Sequence, residues 1–240
     1  MNLDEFLRRE PISDRGISVV IPSHNAEATI EQDVGGVVQF VEGIGRGYEI
    51  IVSDYGSSDA TATIATRLAE SNRRVRVLVH CEGYGAALRG GFSEAKYPLV
   101  LQWDAGAQFD PSETARLLEA IDQVDIVCGF RARNMPPMPN GMWYRWLLRW
   151  VFAVRMRDVD CGFKLFRRAA LRRIPIQAVG RFASAEILAK ATFMNMLVGE
   201  VAVTSRDDGR SRPPLEPMTR TFTEAFQVFR RPQFTVNDRL

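Results

Sequence analysis

The stretch that most constrains this chain is Leu99 to Pro111, LVLQWDAGAQFDP, an apolar run that stops at an acid and reopens as a capped helix. Leu99 to Trp103 alternates too little for a half-wet strand and is too short for a helix, so it reads as a central strand buried on both faces. In Asp110-Pro111-Ser112-Glu113 the Asp suits an N-cap, the proline suits the first helical position, and Glu113 has capping-box spacing. Asp104 is therefore expected at the carboxyl end of a parallel strand, where open α/β sheets bind their ligands.

The rest of the chain repeats the theme. Strands are expected at 17–21, 48–53, 75–80, 125–130 and 198–204, with helices at 28–41, 60–70, 84–95, 111–121 and 183–196. Crossovers of about ten residues or more between strands predict an α/β fold, with a mostly parallel central sheet and helices on both faces. Residues 1–15 read as an N-terminal extension, 16–212 as the main domain and 213–240 as a C-terminal tail with a short helix. With 31 basic and 29 acidic residues the net charge is only +2, so overall charge implies no nucleic-acid partner. Cys81, Cys128 and Cys161 lack metal-ligand spacing and point to reduced thiols in a cytosolic compartment. The charged start MNLDEFLRRE does not read as a signal peptide, and no run approaches the roughly 18 apolar residues of a transmembrane helix, which leaves a chain that is soluble or lies on a membrane surface.

Two expected strand ends deliver acids to one edge of the sheet, Asp54 and Asp104, and a third delivers Pro22-Ser23-His24-Asn25. One carboxylate facing a nucleobase N–H and another reaching a metal on a diphosphate suit a nucleotide-binding edge. Both acids could instead terminate strands and cap turns, a reading that fits Asp54 because Ser57, Ser58 and Asp59 follow it. Gly83-Tyr84-Gly85 mimics a dinucleotide fingerprint, but Leu88 occupies the third glycine position and the unit follows the third strand, not the first. Arg131 and Arg133, after the fifth strand, suit an acceptor phosphate. Trp143, Leu147, Trp150 and Val154 share one helical face opposite Arg145 and Arg149, an arrangement that fits either a core helix or a membrane interface.

ISVVIPSHNAEATI, YEIIVSDYGSSDAT, GYGAALRGGF, LVLQWDAGAQFDP and VDCGFKLFRRAAL follow one another in an order that resembles family 2 glycosyltransferases of the GT-A fold, and in particular the polyprenyl-phosphate (dolichyl-phosphate) mannosyl- and glucosyltransferases. The resemblance implies an inverting transferase that moves a hexose from a UDP- or GDP-sugar, with Mg²⁺ or Mn²⁺, to a membrane polyprenyl phosphate. It also implies a peripheral location at the cytosolic face of a membrane, with a membrane-protein partner possible. Carried over by position, Pro22 and His24 fall on the nucleotide-contacting loop, Asp54 on the acid that meets the base, and Gly85 on a loop beside the donor. Asp104 and Gln108 fall on the metal and diphosphate motif Asp-x-Asp-x-Gln, Asp158 on an acid ahead of the acceptor region, and Arg206 on a loop that folds over the donor phosphates. Asp104, Asp158 and Arg131 are the expected catalytic residues. Glu186 falls where the family often has an acid near the site, or is a solvated helix acid. This chain departs from the pattern at Gly106, where the second metal-binding acid belongs, at Tyr55 and at Ala26. Gly106 weakens the expected metal site. It leaves a second reading open, a nucleotide-sugar-binding or scaffold protein that has lost turnover.

Overall fold

The computed structural model describes residues 10–80, 83–131, 141–205 and 218–234. Its centre is a seven-stranded sheet built from β1 (Ile17–Ser23), β2 (Tyr48–Tyr55), β3 (Val75–His80), β4 (Leu99–Trp103), β5 (Ile126–Arg131), β6 (Phe163–Arg167) and β7 (Val198–Val203), in the order β3-β2-β1-β4-β6-β5-β7. β1, β2, β3 and β4 run parallel, as do β5 and β7, whereas β6 is antiparallel to both its neighbours. β1 and β4 are buried throughout, as apolar runs without alternation require.

The helices are α1 (Ile30–Gly43), α2 (Thr61–Ser71), α3 (Tyr84–Glu94), α4 (Thr114–Ala120), α5 (Gly141–Trp150), α6 (Arg168–Leu171), α7 (Ala183–Phe193) and α8 (Met218–Arg230). Two apolar clusters lie on the two faces of the sheet. One gathers Val20, Leu88, Phe92, Val100, Phe166, Phe182 and Leu188; the other gathers Val19, Ile21, Val34, Val37, Leu101, Trp103 and Phe163. The alternation of Val19 and Ile21 with Val20 along β1 is the period-two geometry of a strand covered on both sides.

Three expectations need correction. The strand β6 was not foreseen: it inserts between β4 and β5, pairing Gln102 with Lys164 and Trp103 with Phe163, so β5 does not lie beside β4. The expected helix at 111–121 is a 3₁₀ turn, Pro111–Glu113, followed by α4; Asp110 accepts the Ser112 N–H as a cap, while Glu113 turns to Arg116. The aromatic helix ends at Trp150, so Val154 is not on its stripe; Leu148, Phe152 and Val154 enter the core, while Trp146 and Trp150 are 53% and 71% exposed.

The strand order reverses between β1 and β4: β2 and β3 lie beyond β1 on one side, and β6, β5 and β7 lie beyond β4 on the other. This is a topological switch point, where the loops at the carboxyl ends of the strands part and leave a crevice. Ser23, Asp54 and Asp104 all stand at that end.

Candidate active site

Asp104 ends β4 with its carboxylate buried against the chain. Its backbone N–H bonds the Gly162 carbonyl at 2.8 Å, and a Cβ on Gly162 would land on the Asp104 carboxylate itself. Gly162 is thus required by this close approach. The Tyr84 hydroxyl lies 3.0 Å from each Asp104 oxygen, and Gln102 Nε2 donates to Asp104 Oδ1 at 3.0 Å and to the Tyr84 oxygen at 2.8 Å. Burial first, then the neighbouring Asp104 charge, push the Tyr84 phenol well above its ordinary value, so it stays a donor.

An aromatic wall continues from Tyr84 toward the first two strands. Tyr55 meets Tyr84 edge-on at 6.0 Å, and His24 stacks on Tyr55 at 5.0 Å with 16° between the planes. His24 Nδ1 is held 3.1 Å from the Tyr55 carbonyl. Asp54 is buried, with its carboxylate accepting the Ser57 hydroxyl and the Ser57 N–H. The turn-capping role expected for Asp54 is therefore present. Asn25, in the left-handed region at φ 48°, receives the Ser58 N–H on its side chain and gives its own N–H to Ser57 Oγ, which fastens the β1 and β2 loops together. Pro22 lies within β1 and its carbonyl accepts the Ala105 N–H at 3.3 Å.

The loop after Asp104 is shaped by a residue that sequence reasoning missed. Asp33, buried on α1, accepts the N–H groups of Gly106 and Ala107 and the indole N–H of Trp103 at 2.8 to 3.1 Å. Gly106 has φ 131° and Ala107 φ 51°. The position where a second acid was expected thus has a backbone conformation that suits glycine. A signal for Asp33 existed: it is a charge on the apolar stripe Ile30, Val34, Val37, Val41.

Arg131 and Asp158 are brought together as a pair. Asp158 is buried and accepts Arg131 Nε at 2.7 Å, Nη2 at 2.8 Å and the Arg131 backbone N–H at 3.3 Å. Burial works against the guanidinium charge, but the Asp158 bonds overcome it and hold the Arg131 pKa above its ordinary value. Asp160 lies nearby; burial raises its carboxyl pKa, opposed by Arg181 and Lys164. Arg181, also unforeseen, places its guanidinium 5.3 Å over the Tyr84 ring. Burial disfavours its charge, yet Tyr84, Asp104, Tyr55 and Asp160 together hold its pKa high.

Gly85 is enclosed by protein: its N–H bonds the Val179 carbonyl at 2.6 Å, and a Cβ there would strike the Ala178 carbonyl. Its smallness serves the seating of α3 against the segment before α7. Glu186 corrects the expectation of a solvated acid. It is fully buried, pairs with Lys190 at 2.6 Å and accepts the Gln177 and Ala178 N–H groups, so it shapes that same segment. Gln108 is half-buried on the loop beyond Gly106. Arg206 and Arg133 lie outside the described residues.

Asp104 and Gln108 offer hard oxygen donors suited to Mg²⁺ or Mn²⁺, but Asp104 is the one carboxylate of the motif. Among the described residues no three His, Cys, Asp or Glu side chains group as a metal-holding set. The protein therefore fits a metal only as part of a shell that phosphate oxygens and water complete.

The sequence pattern described as glycosyl transferase family 2 matches residues 18–180. A dolichyl-phosphate beta-glucosyltransferase of Dictyostelium discoideum is 29% identical over 92% of this chain and 75% of its own length, and one of Homo sapiens is 30% identical over 78% and 66%. An undecaprenyl-phosphate 4-deoxy-4-formamido-L-arabinose transferase of Pseudomonas aeruginosa is 32% identical over 64% of this chain; the match spans about half, 47%, of that protein. The structure of glucosyl-3-phosphoglycerate synthase from Mycobacterium tuberculosis in complex with Mn²⁺, UDP-glucose and phosphoglyceric acid superposes with a TM-score of 0.73 at 21% identity, covering 97% of this chain and 85% of that one. That likeness shows the GT-A fold. The matched pattern covers more than half of the chain, including Asp54, Asp104, Asp158 and all of β1 but its first residue, and the chain belongs to glycosyl transferase family 2, as a glycosyltransferase of the GT-A fold.

Proposed function

We propose that this glycosyltransferase moves a hexose from a UDP- or GDP-sugar to a polyprenyl phosphate at a membrane surface, with inversion. The observation that carries the reading is the convergence of Asp54 and Asp104 at the switch point, joined by the His24, Tyr55 and Tyr84 wall. The names of the relatives support the acceptor class.

In this reading the base stacks along the His24 and Tyr55 side of the crevice and Asp54 accepts a base N–H. Asp104 and Gln108 would hold Mg²⁺ or Mn²⁺, which would supply charge stabilisation to the departing nucleoside diphosphate. Arg131 receives the acceptor phosphate. Asp158 takes its Nε and Nη2, which orients the guanidinium and leaves Nη1 outside the pair. The acceptor is already an anion, so no strong general base is needed: a phosphate oxygen attacks the anomeric carbon as the bond to the nucleoside diphosphate breaks. One displacement inverts the anomeric centre.

The membrane surface is met by aromatic side chains. Trp146 and Trp150 on α5 and Phe222, Phe226 and Phe229 on α8 are all exposed, and Phe152, just after α5, lies 6.4 Å from Phe229. Arg149, Arg155, Arg230 and Arg231 are exposed nearby in sequence. Aromatic rings at headgroup level with arginines beside them suit an anionic interface on the cytosolic side. No helix among the described residues is long and apolar enough to cross a membrane.

The test is to incubate the purified protein with a panel of UDP- and GDP-hexoses and vesicles containing polyprenyl phosphate, in Mn²⁺ and in EDTA. Glycolipid is expected from the sugars of one nucleotide, and is lost in EDTA and in Asp104→Asn. Nucleotide binding without transfer from any donor overturns the reading.

A further inference from the structure

On α8 a carboxylate is buried beside core residues while three phenyl rings face outward. Thr221, Glu224, Ala225 and Val228, at positions i, i+3, i+4 and i+7, are buried, while Phe222, Phe226 and Phe229 face outward at 41%, 59% and 60% exposure. Burying a carboxylate while leaving phenyl rings in water opposes the usual preference, so the inner face must give Glu224 specific partners. Glu224 Oε1 accepts the Gly180 N–H at 2.8 Å, with Arg220 Nε 3.6 Å away on the same helix.

Gly180 belongs to a segment clasped between α8 and the start of α3. The Val179 carbonyl accepts the Gly85 N–H, and a Cβ on Gly83 would lie 3.1 Å from that carbonyl and 3.6 Å from Arg220 Nη2. The next residue, Arg181, lies over the Tyr84 ring, and the Tyr84 hydroxyl holds both Asp104 oxygens. A continuous set of contacts therefore runs from Glu224 through Gly180, Arg181 and Tyr84 to Asp104.

We propose that Glu224 is a positioning residue of the transferase site: from α8 it holds Gly180, sets the Arg181 guanidinium over Tyr84 beside Asp104, and so makes turnover depend on the seating of α8. This rests on the reading of Asp104 as the donor-diphosphate end of the crevice. A guanidinium fixed there stabilises the charge that develops as the nucleoside diphosphate leaves, an effect expressed in kcat more than in donor binding. Glu224 touches no substrate and acts through Arg181.

The experiment compares Glu224→Ala, Glu224→Gln and Arg181→Met in the full chain with the nucleotide sugar and polyprenyl-phosphate vesicles. Glu224→Ala is expected to lower kcat by about tenfold to a hundredfold, as when a supporting group behind a site residue is removed, with donor KM little changed. Glu224→Gln keeps an oxygen for the Gly180 N–H and restores most of the rate. The Glu224→Ala, Arg181→Met double variant is no slower than Arg181→Met alone, because the first change acts through the second residue. Equal losses in Ala and Gln, additive losses in the double variant, or a wild-type kcat in Glu224→Ala each overturn the proposal. If Glu224→Ala does not fold, Glu224→Asp shortens the reach by one methylene while keeping the charge, and is read in the same way. Amide exchange at Gly180 is followed in parallel. It is expected to accelerate in Glu224→Ala and to stay slow in Glu224→Gln. Unchanged exchange in Glu224→Ala overturns the clasp, whereas a wild-type protein inactive on every donor counts against the functional reading.

Discussion

The Tyr84 hydroxyl sits 3.0 Å from each oxygen of the Asp104 carboxylate, so α3 and β4 meet at the acid on which the proposed donor site turns. Hydrogen bonds to charged groups contribute roughly 1.5–3 kcal/mol. Tyr84→Phe keeps the ring and removes that donor, leaving Gln102 as the remaining described side-chain partner of Asp104. Stability in urea should fall by about that amount, and metal-dependent UDP or GDP affinity should weaken with it. Unchanged values for both would show that Gln102 alone orients the carboxylate.

Gly162 offers a test of the same carboxylate by shape. A Cβ there would occupy the place of Asp104 Cγ, so Gly162→Ala forces the acid or the segment before β6 to move. Overpacking of this kind costs typically 1–3 kcal/mol. The variant should fold with a lowered melting temperature and lose most transferase activity. Full activity at reduced stability would place Asp104 outside the reaction.

The left-handed backbone at Gly106 changes what restoring the second acid of the motif would do. At φ 131° an Asp is strained by about 1–3 kcal/mol unless the loop re-forms, and the Asp33 bonds to the Gly106 and Ala107 N–H groups oppose re-forming. Gly106→Asp is expected to be less stable than wild type and to bind UDP or GDP with Mn²⁺ no more tightly. Tighter metal-dependent binding at unchanged stability would show that the loop accepts a second ligand.

How much of this was legible in the sequence follows from how far each partner lies along the chain. Leu99 to Trp103, Asp54 and Asp104 could be read because an apolar run ending in an acid is a local pattern. Asp33 is 73 residues from the Gly106 N–H that it accepts, and nothing local joins them. The strand β6 escaped because Lys164 interrupts its apolar run; the ammonium is buried and donates to the Cys161 carbonyl, which the sequence does not show. Glu186 looked like a surface helix acid, and its burial depends on Lys190 one turn on and on two N–H groups from the preceding segment. Arg131 and Asp158 were each visible as charges, but their pairing needed the fold to bring the end of β5 to the loop before β6.

Cys128 and Cys161 are fully buried, and burial pushes both thiols up to about 12. The thiolate is the reactive form, so at neutral pH neither should react with iodoacetamide in the folded protein, and both should react in urea. Peptide mapping after labelling reads this directly. Modification of Cys161 in the native protein would show that the segment between Asp158 and β6 opens.

Asp33 supplies the prediction with a pH signature. Burial raises its pKa above the ordinary 3.8, although the Gly106, Trp103 and Ala107 N–H donors pull the other way. An acid whose pKa is higher in the folded state binds its proton more tightly there, so its contribution to stability is fully present below 3.8 and is lost as pH rises through the folded value. Asp33→Asn cannot ionise. The stability of wild type relative to Asp33→Asn should therefore decline as pH rises through the acid range above 3.8, and then level off. Urea titrations from pH 4 to about 8 measure this difference, and a difference that grows with pH would show that the three N–H donors outweigh burial. Asp33→Ala tests the positional role. It strands buried donors on Trp103 and Gly106, at about 1–3 kcal/mol for each of these groups left unpaired, frees the part-buried Ala107 N–H, and releases the loop that follows Asp104. Metal-dependent nucleotide affinity should fall in Asp33→Ala even at temperatures where the variant is fully folded. Affinity equal to wild type under those conditions would confine Asp33 to folding and leave the Asp104 loop to be held by β4 and the Gly162 carbonyl.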